Sequence, residues 1–445
     1  MKKTTREYGK RNRLRGMIIG GLVSLLCALG FASAEQVSAA QEYLQLYFDN
    51  DWAAAVVLQD ATMKGAFGTA AMQGSFVSLS AQYGDFLEIV SLREEDKDPY
   101  VDVVFLTRWQ NGFLDFHVVM NAQNQVSGFR ALPAQDPADQ GAAYVNPQAF
   151  TELEIQVGEE PWLLDAYLTV PNNLSEFPLV VLLGGSGPTD RDATIGPNKI
   201  FRDIAQGLSS QGIAVLRYDK RAFAHGEQLL QQGPSEDGYV ADEYLSDAMV
   251  VLEQAAAIQG VNEIILAGHS LGGAIAPTIA LRSEFVDRLI LLAASARRFG
   301  QVSMDQNEYF APVSGITDEQ LAQVKAFFQA VLDHQLPADT VVQPGLTVEY
   351  YYDWDRYPTI ETLEKLSIPV LVLQGEQDFQ STMEGDFLPL KQALVDNVNF
   401  TFESFPRLNH LFLETEVGVF HTTDEYAIPG HVSEELIIAL VEWIS

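Results

Sequence analysis

The stretch Glu263-Ile264-Ile265-Leu266-Ala267-Gly268-His269-Ser270-Leu271-Gly272 decides the reading of this chain. The apolar run ending at Ala267 reads as a buried strand, and Leu271 to Leu281 continues with helical character. Gly268-His269-Ser270-Leu271-Gly272 is therefore a sharp strand-to-helix turn, the context of a G-x-S-x-G nucleophile elbow. A serine at such a turn holds a strained backbone conformation, and side chains two positions away on either side would collide. Gly268 and Gly272 meet that need. The start of the helix adds free backbone N–H groups and a positive dipole end beside a reacting oxygen.

A serine hydroxyl is a poor nucleophile until a neighbouring base takes its proton, and behind an elbow the order along the chain is serine, acid, histidine. His334, His410, His421 and His431 follow Ser270. Arg407-Leu408-Asn409-His410-Leu411-Phe412 comes directly after an apolar strand, Asn399 to Phe405, so His410 is the expected base. His334 falls in an insertion, and His421 and His431 read as surface residues of the tail. The acid belongs just past the strand Pro369 to Gln374, where Gly375-Glu376-Gln377-Asp378-Phe379 offers two carboxylates. Asp378 is expected, with Glu376 as the alternative, because the shorter side chain suits a tight turn that must hold an imidazole in one tautomer. Negative charge on the substrate oxygen needs preorganised donors. Those are the backbone N–H of Leu271 and one from Gly184-Gly185-Ser186-Gly187-Pro188, with Ser186 the expected donor and Gly185 the alternative.

Outward from the elbow, residues 151–445 alternate short apolar strands with helical text, the pattern of a mostly parallel α/β sheet. Eight strands are expected, at about 152–157, 163–170, 178–184, 213–218, 263–268, 288–293, 369–374 and 399–405. Between the sixth and seventh lies an insertion of about residues 295–367. It is too long for an ordered loop and carries aromatics such as Tyr309, Phe310, Phe328, Tyr350 and Trp354, so a helical cap is expected.

Residues 35–130 read as a small α+β domain, separated by a Pro- and Gly-bearing linker at 131–150. A helix is expected over Gln36 to Leu58 and another from Thr69 to Tyr83. Strands follow at Phe86 to Leu92, Val101 to Trp109 and Gly112 to Met120, with Asn111-Gly112 as a hairpin turn. His117, with no acid or cysteine beside it in the sequence, reads as structural. Residues 1–34 have the form of a secretory signal: seven basic residues, an apolar run from Met17 to Phe31, and Ala32-Ser33-Ala34 as a cleavage site. The other reading is an uncleaved anchor, since Gly16 to Ala34 approaches the roughly 20 residues that span a bilayer. Cleavage predicts an exported protein, periplasmic or extracellular, with no stable membrane association.

The single cysteine, Cys27, lies inside that apolar run, so the processed protein has no thiol for a disulfide, a nucleophile or a metal. Loss of the signal leaves 20 basic against 59 acidic residues, a formal charge of about −39. Such a field repels nucleic acid and anionic membranes. There is no G-x-x-x-x-G-K-[ST], H-E-x-x-H or cysteine cluster, so no cofactor and no metal are expected. Asp190, Arg191, Asp192, Asp219, Lys220 and Arg221 form mixed-charge segments after the third and fourth strands and read as an ion-pair scaffold.

Taken together, the stretches Gly185 to Asp192, Gly212 to Arg221, Gly268 to Gly273, Ile368 to Asp378 and Leu408 to Phe412 resemble a bacterial group of α/β-hydrolases. Its members are esterases or serine aminopeptidase-like hydrolases with a small extra domain ahead of the catalytic one. The first domain resembles the DUF3887 type, which implies an NTF2-like cone of helices against a curved sheet. The resemblance implies Ser270, Asp378 and His410 as a triad, short-chain acyl esters as small-molecule substrates, and acyl transfer without a cofactor. Two departures stand out. Gly184 replaces a usual histidine before the oxyanion glycine, and Phe379-Gln380-Ser381 replaces a usual tyrosine-glutamine-valine after the acid. A peptidase reading would need acids in the cap, such as Glu349, Asp353 and Asp355, to hold a substrate amine. A third reading is a binding protein whose first domain holds a ligand or mediates homo-oligomerisation.

Overall fold

The computed structural model describes residues 33–97, 99–110, 112–134, 141–343 and 346–445. Apart from Ser33 and Ala34, the expected signal segment lies outside the described residues, as does Asn111 of the expected hairpin turn. The chain divides after Ala134 into two compact units. No helix among the described residues is long and apolar enough to cross a membrane.

In the first unit, α1 (Ala34–Phe48) opens on a capping box between Ser33 and Gln36. The single helix expected over 36–58 breaks after Phe48: Asn50 takes φ 62°, and the Asp51 carboxylate caps α2 (Trp52–Val57) by accepting from the Ala54 N–H. Asn and Asp favour such turns because their short side chains bond the local backbone. Next come α3 (Ala61–Ala66) and α4 (Thr69–Tyr83). Strands β1 (Phe86–Lys97), β2 (Tyr100–Trp109), β3 (Gly112–Met120) and β4 (Val126–Ala134) pair in that order as an antiparallel sheet. β4 reaches into the stretch read from the sequence as linker. The helices lay Tyr43, Leu44, Tyr47 and Phe48 against Val103, Phe105, Trp109 and Phe116.

His117 is less isolated than its sequence neighbours suggest. Its Nδ1 lies 2.8 Å from Asp102 Oδ2 on the adjacent strand, and both residues are buried. With Glu95 they form the one group of three potential metal ligands among the described residues. Arg130 already stands 3.6 Å from the same Asp102 oxygen, so a cation balances that carboxylate.

The second unit is built on an eight-stranded sheet: β5 (Phe150–Val157), β6 (Leu164–Pro171), β7 (Phe177–Leu183), β8 (Ala214–Tyr218), β9 (Val261–His269), β10 (Arg288–Leu292), β11 (Val370–Gly375) and β12 (Phe400–Phe405). The order is β12-β11-β10-β9-β7-β8-β6-β5, and β6 alone runs opposite to the other seven strands. This is a mostly parallel α/β sheet, as expected. Both faces are covered, which is why its strands read as continuous apolar runs. Leu179, Val181 and Leu183 of β7 point to one core together with Val251 and Leu252 of α6 (Ser246–Ala256) and Ile275 and Ile279 of α7 (Leu271–Arg282). Val180 and Leu182 point to the other, with Ile204 and Leu208 of α5 (Ile200–Ser209).

The insertion between β10 and β11 is helical, as expected: α8 (Phe299–Ser314), α9 (Asp318–Leu332), α10 (Val348–Trp354) and α11 (Thr359–Leu363), with a short hairpin of Val341–Gln343 and Leu346–Thr347. It has a small core of its own in Phe328, Val331, Val348 and Tyr351. The Thr359 hydroxyl fastens its base by donating to the carbonyls of Ala274 and Ser295.

Candidate active site

Ser270 sits between the end of β9, a central strand, and the start of α7, with φ 56° and ψ −122°. A Cβ on Gly268 would strike the Gly272 backbone, and one on Gly272 would strike the carbonyls of Leu183 and Gly184. Glycine at both positions is thus a packing requirement, and it brings the start of α7 against the end of β7. The Gly185 loop lies beside the serine: a Cβ built on Gly185 would stand 3.1 Å from Ser270 Cβ.

The loops after β11 and β12 bring Asp378 and His410 together. His410 Nδ1 lies 2.7 Å from Asp378 Oδ2, and both side chains are almost fully buried. The other carboxylate oxygen, Oδ1, accepts from the backbone N–H groups of Gln380 at 2.7 Å and Ser381 at 3.0 Å. Gln374 Nε2 donates to Oδ2 at 3.0 Å. Glu376, the alternative acid, instead accepts from the Ser404 hydroxyl at an exposed position. Gly375 lets the His410 loop cross the end of β11, since a Cβ there would meet the carbonyls of Leu408 and Asn409. Asn409 then braces the loop by accepting from the N–H groups of Leu411 and Leu413.

The other histidines are held elsewhere. His334 lies 2.9 Å from Asp355 and His431 2.9 Å from Asp203. His421 departs from its surface reading: it is buried, with Nδ1 2.8 Å from Glu425, and its backbone bonds the Tyr309 hydroxyl.

His269, not singled out in the sequence, is also buried. Its Nε2 donates to the His410 carbonyl at 2.9 Å, and the two rings lie 4.7 Å apart. Burial, followed by proximity to His410, pushes its imidazole down to about 3. The folded value therefore lies below the unfolded one of about 6.5. The stability tied to neutral His269 is complete above about pH 6.5 and is lost as pH falls toward 3. His269→Gln is expected to lose less melting temperature than the parent between pH 7 and pH 4; equal losses in calorimetry at the two pH values would contradict this.

The mixed-charge segments form the expected ion-pair scaffold. Arg217 pairs with Asp192 at 2.9 Å and Glu152 at 2.8 Å, Arg221 pairs with Asp247, and Lys220 pairs with Glu243 at 2.6 Å. The departure at Gly184 has a physical reason: a Cβ there would stand 2.7 Å from Thr189 Oγ1 and 3.2 Å from Lys220 Cδ, so that space is already filled. Phe379 packs against Tyr309 and Phe310 of the cap, at 5.7 and 5.4 Å between ring centroids. A hollow of about 290 Å³ opens beside Phe379, and a larger one of about 460 Å³ beside Asn409 and His431. Ser270 lines neither hollow.

The family described as serine aminopeptidase, S33 (Hydrolase_4), matches residues 198–416, a span containing Ser270, Asp378 and His410. Among solved structures, Est1E from Butyrivibrio proteoclasticus aligns at 18% identity and a TM-score of 0.43, over 65% of this chain and 96% of that one. The Pyrococcus horikoshii acylaminoacyl peptidase aligns at 12% identity and a TM-score of 0.42, over 73% and 47%. Esterase EstD of Thermotoga maritima is 31% identical over 382 residues, which take in 86% of this chain and 89% of the relative. Identity at that level across nearly the whole of both proteins means that the chain belongs to the α/β-hydrolase family of carboxylic ester hydrolases.

Proposed function

We propose that the protein is an exported serine esterase that hydrolyses short-chain acyl esters. In this reading His410 takes the Ser270 proton as the hydroxyl oxygen attacks the ester carbonyl. The oxyanion is held by the N–H groups of Leu271 and Ser186, with Gly185 as the alternative to the latter. The proton then passes from His410 to the departing alcohol, leaving an acyl-serine. Water, deprotonated by the same histidine, releases the acid and restores the serine.

The observation that carries this reading is the convergence of three chain segments: a strained serine at the end of a central strand, the Gly185 loop beside it, and a buried Asp378–His410 pair, 2.7 Å apart, on the loops after β11 and β12, whose His410 carbonyl is bonded by His269 next to the serine. Cap aromatics packed on Phe379 favour a limit on acyl size, because Phe379 follows the acid directly. Two of the three cap acids argue for esters over aminoacyl amides, while the third, Glu349, is exposed. Asp353 accepts from the Val240 N–H and pairs with Arg356, and Asp355 is taken up by Arg298 and His334. Export is read from the form of residues 1–34, and an NTF2-like character for the first unit from its resemblance and its helices on an antiparallel sheet.

The test is hydrolysis of p-nitrophenyl esters from acetyl to decanoyl, set beside aminoacyl p-nitroanilides. Turnover is expected to peak at short acyl chains and to be at least about 100-fold weaker on the anilides, the loss anticipated when a buried site offers a charged amine no partner. Preference for the anilides would replace the esterase reading with the peptidase one.

A further inference from the structure

Lys220 follows β8 and is fully buried, yet it points at the loop beside Ser270. Its Nζ donates to the carbonyls of Gly185 at 2.7 Å and Gly187 at 2.9 Å, to Glu243 Oε1 at 2.6 Å and to the Tyr244 hydroxyl at 3.0 Å. The Tyr244 hydroxyl donates to the same Gly185 carbonyl at 2.9 Å. From the cap, the Tyr350 hydroxyl donates to the second Glu243 oxygen at 2.8 Å. A buried ammonium is costly unless its protons find acceptors, and here two of its four close acceptors are backbone carbonyls of one loop.

The direction of those carbonyls matters. In a trans peptide the C=O and the following N–H point in opposite directions, and among the described residues the only cis bond is Glu160–Pro161. With the Gly185 carbonyl turned inward onto Lys220 and Tyr244, the Ser186 N–H is turned the other way. The peptide after Gly187 leads into Pro188 and has no N–H, so its carbonyl serves only as an anchor. A cation on the carbonyl also polarises the peptide and strengthens its N–H as a donor.

We infer that Lys220, buttressed by Glu243 and by Tyr350 of the cap, is the positioning residue of the oxyanion loop, fixing the Ser186 N–H toward the substrate oxygen. This rests on the serine-hydrolase reading of Ser270. Lys220 touches no reacting atom; it acts through the Gly185–Ser186 peptide.

The double variant Lys220→Met/Glu243→Gln tests it, because removing both charges avoids a stranded buried ion. On a short p-nitrophenyl ester, kcat is expected to fall about 30- to 100-fold with KM within about twofold, the signature of a misplaced donor. Affinity for a phenylboronic acid, which adds to the serine as a tetrahedral anion, is expected to fall in parallel with kcat. A general packing defect would lower the melting temperature without linking those two losses.

A folded double variant with kcat and boronate affinity within about threefold of the parent overturns the inference, as does a rise in KM at unchanged kcat. Should the double variant not fold, Tyr244→Phe removes the second donor to Gly185 together with one hydrogen-bond partner of Lys220 Nζ. It is expected to show the same linked losses at about 5- to 10-fold, and parental values there overturn the inference equally. A parent protein with neither turnover nor boronate binding overturns the serine-hydrolase reading itself, an outcome read before any variant is made.

Discussion

Ser270→Ala is expected to lower kcat on a short acyl ester by about 10⁵- to 10⁶-fold, leaving only the residual catalysis that bound donors provide. Within the elbow no side chain replaces the nucleophile, since its other residues are glycines, a buried imidazole bonded to the His410 carbonyl, and Leu271. KM should stay within a few-fold, because the hydroxyl is smaller than the contacts that bind the acyl group. Backbone strain adds a second arm. Alanine at φ 56° and ψ −122° keeps the penalty that Ser270 carries, about 1–3 kcal/mol, whereas glycine relieves it. Ser270→Gly should therefore be as inactive as Ser270→Ala and melt a few degrees higher, after the entropy that glycine loses on folding is set against the relief. Active-site titration and calorimetry on the two variants check both arms. Retained turnover in either would remove Ser270 from the mechanism, and equal melting temperatures would show that the turn is unstrained.

Much of the catalytic unit was legible because its strands are buried on both faces and so read as apolar runs bounded by turn residues. All eight occur where expected, within a few residues at their ends. The elbow was legible because close backbone contacts dictate its glycines, Gly268 against Gly272 within the turn itself and Gly272 against Leu183 and Gly184. The first unit was harder. The α1–α2 break depends on Asn50 adopting positive φ, for which one Asn among helix-compatible neighbours is a weak signal. β4 ends in Leu132-Pro133-Ala134, text that resembles a linker, and it becomes a strand by pairing with β3.

The site's supporting residues were the least legible, since each works through a partner distant in sequence. Lys220 meets Glu243 and the Gly185 loop, Asp102 meets His117 across a strand pair, and Gly375 matters because the chain returns over it some thirty residues later. The charge run around Lys220 did signal an ion-pair scaffold, but not that one of its members would hold the loop beside the nucleophile. Choosing between Asp378 and Glu376 rested on side-chain length; in the fold the shorter chain turns in to the imidazole, and the longer one reaches Ser404 at the surface.

That contrast gives Asp378→Asn its expected result, a fall in kcat of about 10⁴-fold with the fold intact. The surrounding donors dictate how an asparagine must lie. Oδ1 of Asp378 accepts two backbone N–H bonds, from Gln380 and Ser381, so the amide oxygen must occupy that position. The amide nitrogen then takes the place of Oδ2 and presents its protons to His410 Nδ1 and to Gln374 Nε2. Facing a donor, His410 Nδ1 must become the acceptor and its ring proton moves to Nε2, the nitrogen that has to take the Ser270 proton. The variant thus holds every heavy atom in place with the base in the wrong tautomer, while the opposed amide of Gln374 costs about 1–3 kcal/mol of stability. Loss of the downfield Nδ1–H proton resonance together with the drop in kcat would tie the two effects to one proton. A fall smaller than about 100-fold, or one reproduced by Glu376→Gln, would show instead that His410 is oriented by another group.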